Sequence, residues 1–150
     1  MALWSPNRNI VQVRSVLYTD AIHNNNMPNF AVISNNFAVS ITAKFSGSQF
    51  LFHLMCTGGL NCDGHWGVYV GSTAVITNFV GTDRAIDHHD ANTYSGMFIY
   101  DANTTAGTTY TCKVGARAQG CGNDVYLNRD PSGTNNNGRS SLTVFELGEN

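Results

Sequence analysis

Apolar positions recur along this chain at the period of a strand and not of a helix. Nine segments carry the pattern: "NIVQVRSVLYT" (9–19), "NFAVSITAKF" (36–45), "QFLFHLMC" (49–56), "HWGVYVG" (65–71), "TAVITNFV" (73–80), "YSGMFIYDA" (94–102), "TTYTCKVGARAQ" (108–119), "DVYLNRD" (124–130) and "SSLTVFELG" (140–148). They are rich in Val, Ile, Phe, Tyr and Thr, whose branched or aromatic side chains suit a pleated surface. The stretches between them, such as "NNNMPN", "SGS", "GGLNCDG", "ANTTAG", "GCGN" and "DPSGTNNNG", are turn chemistry. Eight or nine short strands in 150 residues predict an all-β chain, an antiparallel β-sandwich or jelly roll forming a single domain. The domain is placed at 9–150, and residues 1–8, "MALWSPNR", form an N-terminal arm outside the strand rhythm.

Two of the segments are apolar on both sides. In "QFLFHLM", Phe50, Phe52 and Leu54 share one face while Leu51 and Met55 share the other. In the last segment, Leu142 and Val144 oppose Phe145 and Leu147, although only three residues follow Leu147. A strand of this kind calls for cover on both faces, and a sandwich core covers only one. The second face needs a loop, the N-terminal segment or another subunit. These four residues are therefore read as core or oligomer-contact strand, and the chain is expected to be a homo-oligomer.

Composition sharpens that expectation. Charged residues make up only 12% of the chain, about half the usual share. A weakly charged surface is cheap to bury between chains. The formal net charge of −2 supplies no attraction to nucleic acid or to an anionic membrane, and both are excluded as direct partners. No apolar run reaches the roughly 18–20 residues of a membrane span. The first residues also lack the basic and apolar regions of a secretory signal, which predicts synthesis in a cytoplasm.

Little in the sequence points to catalysis. Asp87, His88, His89 and Asp90 crowd into "DRAIDHHDANTY" (83–94), but neighbours on an extended chain point to opposite sides, so the four do not easily chelate one ion. The segment is read as an exposed loop suited to recognition; a structural metal shared around a symmetry axis is the alternative. Cys62, Asp63 and His65 in "NCDGHWG" have a short spacing that arises readily by chance, and Trp66 beside them is expected to pack. His53 falls among apolar neighbours, as a hydrogen-bonded core or interface residue. Cys56, Cys62, Cys112 and Cys121 match no zinc or thioredoxin spacing. They are read as buried thiols, with Cys56–Cys62 and Cys112–Cys121 as the disulfide alternative. Glu146 lies on the Leu142 and Val144 side of the last segment, so it meets either solvent or a partner such as Arg117, Arg129 or Arg139. No nucleophile elbow or phosphate loop is present, no cofactor is implied, and the chain is expected not to be an enzyme.

From about residue 9 to 148 the layout resembles the C-terminal domains common in virion proteins of tailed phages of the marine and cyanobacterial type. The resemblance is carried by "NIVQVRSVLYTD", "FAVSITAKFSGSQFLFHLM", "HWGVYVGSTAVI", "TTAGTTYTCKVGARA" and above all "NRDPSGTNNNGRSSLTVFELGE", an Asn-rich loop followed by a closing strand. It implies a jelly-roll-like domain, often trimeric, displayed on a virus particle and without catalytic residues. Such domains usually cap long fibre proteins, whereas in this chain the domain starts close to Met1. The expectation is a capsid decoration, or cement, protein on the outside of the shell, with the major capsid protein and its own copies as partners. Leu3, Trp4 and the apolar outer faces are the candidate coat contacts. The alternative is a receptor-binding head of a fibre or tail tip, contacting host glycan or protein through loops 23–29, 81–93 and 130–139.

Overall fold

The structure, a computed structural model, describes residues 8–60, 63–82, 92–120, 122–129 and 138–149. Every regular element among them is a strand: β1 (Arg8–Tyr18), β2 (Ile22–Asn24), β3 (Ala31–Val32), β4 (Ala38–Thr42), β5 (Gln49–Leu60), β6 (Asp63–Val70), β7 (Thr73–Thr82), β8 (Asn92–Tyr100), β9 (Thr109–Gln119), β10 (Val125–Leu127) and β11 (Ser140–Glu149). All pairings are antiparallel. In sheet A, β1 and β2 lie end to end in one column, β11 and β10 in the next, followed by β5 and then β8. In sheet B, β3 and β4 share a column beside β9, followed by β6 and β7.

Counted by column, the first pairs with the eighth, the second with the seventh, the third with the sixth and the fourth with the fifth. The chain is thus a long hairpin doubled back on itself and rolled into two sheets, which is the jelly-roll arrangement of a β-sandwich. The closing strand β11 is an inner strand, bonded to β1 along one edge and to β5 along the other.

Alternation sets which side chains enter the core. From sheet A come Phe50, Phe52, Leu54 and Cys56 of β5 and Leu142 and Val144 of β11; from sheet B come Val39, Ile41, Trp66, Val68, Cys112 and Val114. Aromatic contacts run within and between the layers: Phe52 stacks on its sheet-A neighbour Phe98 at 4.9 Å, and Phe50 lies edge-on to Tyr110 of the opposite sheet at 5.5 Å. Trp66 pairs in register with Ala116, so a bulky ring sits beside a methyl group and the layer fills without a clash. The hairpin from β6 to β7 turns on Gly71 and Ser72, where Gly71 takes φ 61°, the left-handed backbone that a two-residue hairpin loop demands.

Two buried polar knots fix the ends of β11. At its far end Glu146 is fully buried and accepts hydrogen bonds from the Gln12 side chain (2.5 Å), the Ser48 hydroxyl (2.8 Å) and the backbone N–H groups of Lys44 (2.9 Å) and Phe45 (3.2 Å). The expectation of solvent or a partner such as an arginine is corrected as to the partner: it is Gln12 of β1 together with the corner between β4 and β5, whose turn leaves N–H groups aimed inward. At its near end Asn128 takes φ 56°, and its amide donates to the carbonyls of Tyr18 (2.8 Å) and Asp20 (3.1 Å). The hydroxyl of Ser140 donates to Asn128 Oδ1 (2.7 Å) and accepts from Thr57 N–H (3.0 Å).

Burial by itself would raise the Glu146 carboxyl, but the hydrogen bonds from Gln12, Ser48, Phe45 and Lys44 outweigh it and hold the group below its ordinary range. A carboxyl whose folded value is depressed contributes stability above its unfolded value, and that contribution is lost as pH falls through the folded value. Glu146→Gln places an amide N–H₂ against donors already aimed at that site. It is expected to cost about 1–3 kcal/mol at neutral pH and to flatten the acid limb of stability. Urea unfolding midpoints of both proteins between neutral and acid pH check this; an unchanged acid limb in the variant contradicts it.

Candidate functional site, an uncharged sheet face

The outward side chains of sheet A line up in rows across the strands. One row runs Val13, Phe145, Leu51, Ile99, apolar from edge to edge. On one side of it lies Ile10, Leu147, Gln49; on the other lie Ser15, Thr143, His53, Met97 and then Leu17, Ser141, Met55, Ser95. Ile10 (59%), Leu17 (57%) and Met97 (57%) are among the most exposed large apolar side chains of the protein. Not one Asp, Glu, Lys or Arg falls within these four rows. Charge lies at the margin, with Arg8 at the start of β1, Arg14 on the edge strand with its guanidinium on the Val13 carbonyl at 3.1 Å, Asp101 just past β8 and Arg139 just before β11.

Four of the six polar side chains on this face are bonded in pairs. Ser15 and Thr143 hydroxyls meet at 2.9 Å, and His53 Nε2 meets the Ser95 hydroxyl at 3.1 Å. Such groups lose little when water is removed, because their hydrogen bonds travel with them. His53 is the only titratable side chain in the four rows, and its cross-strand neighbours Thr143 and Met97 carry no charge.

Sheet B is built differently. Its outward positions carry Ser40, Thr42, Thr109 and Thr111, whose hydroxyls pair across β4 and β9 at 3.2 and 2.8 Å. Lys113, bonded to Asn35 at 2.9 Å, and Arg117, opposite His65, add charge. An apolar notch at the Gly67–Gly115 pair is already covered by Phe30, which stacks on Tyr69 at 5.3 Å and whose carbonyl accepts the Tyr69 hydroxyl. A Cβ on Gly115 would come within 2.7 Å of the Phe30 ring. Among the described residues, the outer face of sheet B is thus finished for water and that of sheet A is not.

The residues singled out from sequence distribute accordingly. Leu142 and Val144 face the core, Phe145 stands at the centre of the uncharged face, and Leu147, also on the outward side, is 2% exposed. Leu51 and Met55 are only half-buried, so the expected cover over that side of β5 is not supplied by the described residues. His53 belongs to the face and is hydrogen-bonded, whereas Trp66 is fully buried and offers no platform for a ligand. Leu3 and Trp4, the loop residues Asp87, His88, His89 and Asp90, and Cys62 and Cys121 lie outside the described residues. Among the described residues no three His, Cys, Asp or Glu side chains come together as a metal site. Of the recognition loops, 23–29 is shortened at its start by β2.

Cys56 and Cys112 are buried free thiols. Burial pushes the Cys112 thiol up to about 12 and that of Cys56 well above its ordinary value, so neither forms the reactive thiolate. Both are expected to resist a thiol-directed alkylating reagent in the native protein and to react on unfolding. Peptide mass spectrometry after labelling checks this, and native labelling of either thiol contradicts its burial in the core. The sequence matches no protein-family model and no curated protein, so the functional reading rests on the geometry of the uncharged face.

Proposed function

We propose that this chain is a structural protein of a tailed-phage virion, a capsid decoration protein whose copies assemble on the outer shell and stabilise the coat lattice. The observation that supports this reading is the broad, uncharged outer face of sheet A on a rigid jelly roll. Jelly rolls serve viral capsids and lectins alike, so the fold does not choose between uses and the surface has to. An apolar face with internally paired polar groups suits a permanent contact with protein better than a turnover site. Binding only to the assembled lattice shifts the equilibrium toward that lattice by mass action. In this reading the partners are the major capsid protein and copies of this chain as a homotrimer. The chain works outside the shell after synthesis in the host cytoplasm, and it needs no cofactor, metal or catalytic group.

A receptor-binding head at a fibre or tail tip is the second reading, and one feature favours it. The segment after β2 is a fixed polar rim: Asn26 takes φ 58°, its N–H donates to Asp124 Oδ1 at 3.4 Å, and its side-chain carbonyl accepts from Asn123. Next to it His23 stacks on Tyr126 at 4.3 Å. Rigidly held polar and aromatic groups at the end of a sandwich suit recognition of a host glycan or protein.

Copy number separates the two readings. Quantitative mass spectrometry of purified particles from the virus encoding the chain is expected to give a molar ratio to the major coat protein near stoichiometric. A few copies per particle would select the tail-tip head, and absence from particles would overturn both.

A further inference from the structure

We propose that the outer face of sheet A is where copies of this chain meet, so that the occupant of the face is a second copy of the same protein. The inference rests on the assembly reading and deepens it: this face makes the contact between copies, and the coat contact falls to another part of the surface. Three observations carry it.

The first is charge. A partner recognised through complementary charge needs charge to answer, and the four rows from Ile10 to Leu17 and from Gln49 to Ser95 hold none. The surface that best answers an uncharged apolar sheet is another such sheet, and like-to-like docking on it brings no equal charges together. The second is polar satisfaction. Four of the six polar side chains of the face, Ser15 with Thr143 and His53 with Ser95, are bonded within it, so two copies that close on it leave only Gln49 and Ser141 to be matched across the contact. A glycan or nucleic acid would instead need free donors and acceptors there.

The third is size. Four strands about 4.8 Å apart and four rows about 6.8 Å apart make a footprint of roughly 500 Å² in projection, and its corrugated accessible area is larger. A contact of this size approaches the roughly 800 Å² per partner of a standard specific interface. The sheet is also a natural packing unit, since two sheets stack face to face about 10 Å apart with their side chains interdigitated. A two-fold pair docks the face on itself, a three-fold ring docks it on a different part of the next copy, and in either case Phe145 and Leu51 lie in the middle of the face.

Light scattering coupled to size exclusion tests the proposal on the full chain. The wild-type protein is expected at two or three times its 16.2 kDa chain mass. Met97→Glu places a charge on a side chain that is 57% exposed and makes no core contact, and it is expected to return the protein to monomer with an unchanged circular dichroism spectrum. Leu51→Glu should do the same at the centre of the face, while Thr109→Glu on the outer face of sheet B should keep the wild-type mass. A wild-type protein that remains monomeric up to about 100 μM, or an oligomer indifferent to Met97→Glu, overturns the proposal. The two readings fail separately. A monomer found near stoichiometry in particles sinks this inference and leaves the virion reading standing. A Met97-sensitive oligomer absent from particles does the reverse.

Discussion

Everything in this fold waits on the insertion of β11 between β1 and β5. The strand joins the two ends of the chain, pairing Ser140–Glu149 with Arg8–Tyr18 on one side and with Gln49–Met55 on the other. Without it β1 separates from the rest of sheet A, where β8, β5 and the short β10 and β2 remain joined, and the core loses Leu142 and Val144 together with the strand that aligns their neighbours. Such a closure is non-local, so its entropy must be overcome before the contacts that reward it exist, and rolled β-topologies of this kind fold slowly for that reason. The two polar knots act as end stops. Glu146 clamps the strand to the corner between β4 and β5, and Ser140 with Asn128 ties its start to the ends of β1 and β5. A one-residue slip would turn Glu146 outward and Phe145 into the core, so the buried carboxylate also enforces register.

The two sheets divide the labour of the surface. Sheet B faces outward with paired hydroxyls, Lys113 and Arg117, and covers its glycine notch with Phe30. Sheet A presents Val13, Phe145, Leu51 and Ile99 with no charge among them. Both lie on one chain with the same solvent, so the difference is specific to the face and does not reflect a generally apolar composition. The largest apolar patch on a monomer is often a functional one, and patches beyond a few hundred Å² mark contact sites.

Much of this was legible in the sequence, within physical limits. The long strands β1, β5, β9 and β11 follow from alternation, and the inner position of the last strand follows from its two apolar sides. The two- and three-residue strands β2, β3 and β10 are too short to carry a periodic signal. Gly58 and Gly59 read as a turn but extend β5, because a glycine at 58 lets the carbonyl of Tyr126 approach to a point where any Cβ would collide at 2.0 Å. Glu146 announced itself as an odd carboxylate, yet its partners proved to be the Gln12 amide of β1, a serine hydroxyl and backbone N–H groups of a corner, none of which composition singles out. The uncharged face was visible strand by strand as Leu51 and Met55 opposite Phe50 and Phe52. Its extent across four strands depends on register, and register is a property of pairing that no single segment holds.

The alternation of β11 gives one strand two separable duties. Leu142, Val144 and Glu146 point into the sandwich, so changes at these positions act on stability. Thr143 and Phe145 point out into the uncharged rows, so changes there act on whatever covers the face and reach the core only through the shared backbone. A strand held on both edges by hydrogen bonds transmits little of an outward substitution inward, since its pleat is fixed by β1 and β5 and not by its own side chains. That rigidity also benefits contact: a sheet pinned at both ends loses little conformational freedom when it is covered, so more of the burial remains as affinity. The constraint that makes the terminal strand an inner one therefore also makes its outer side a preorganised surface.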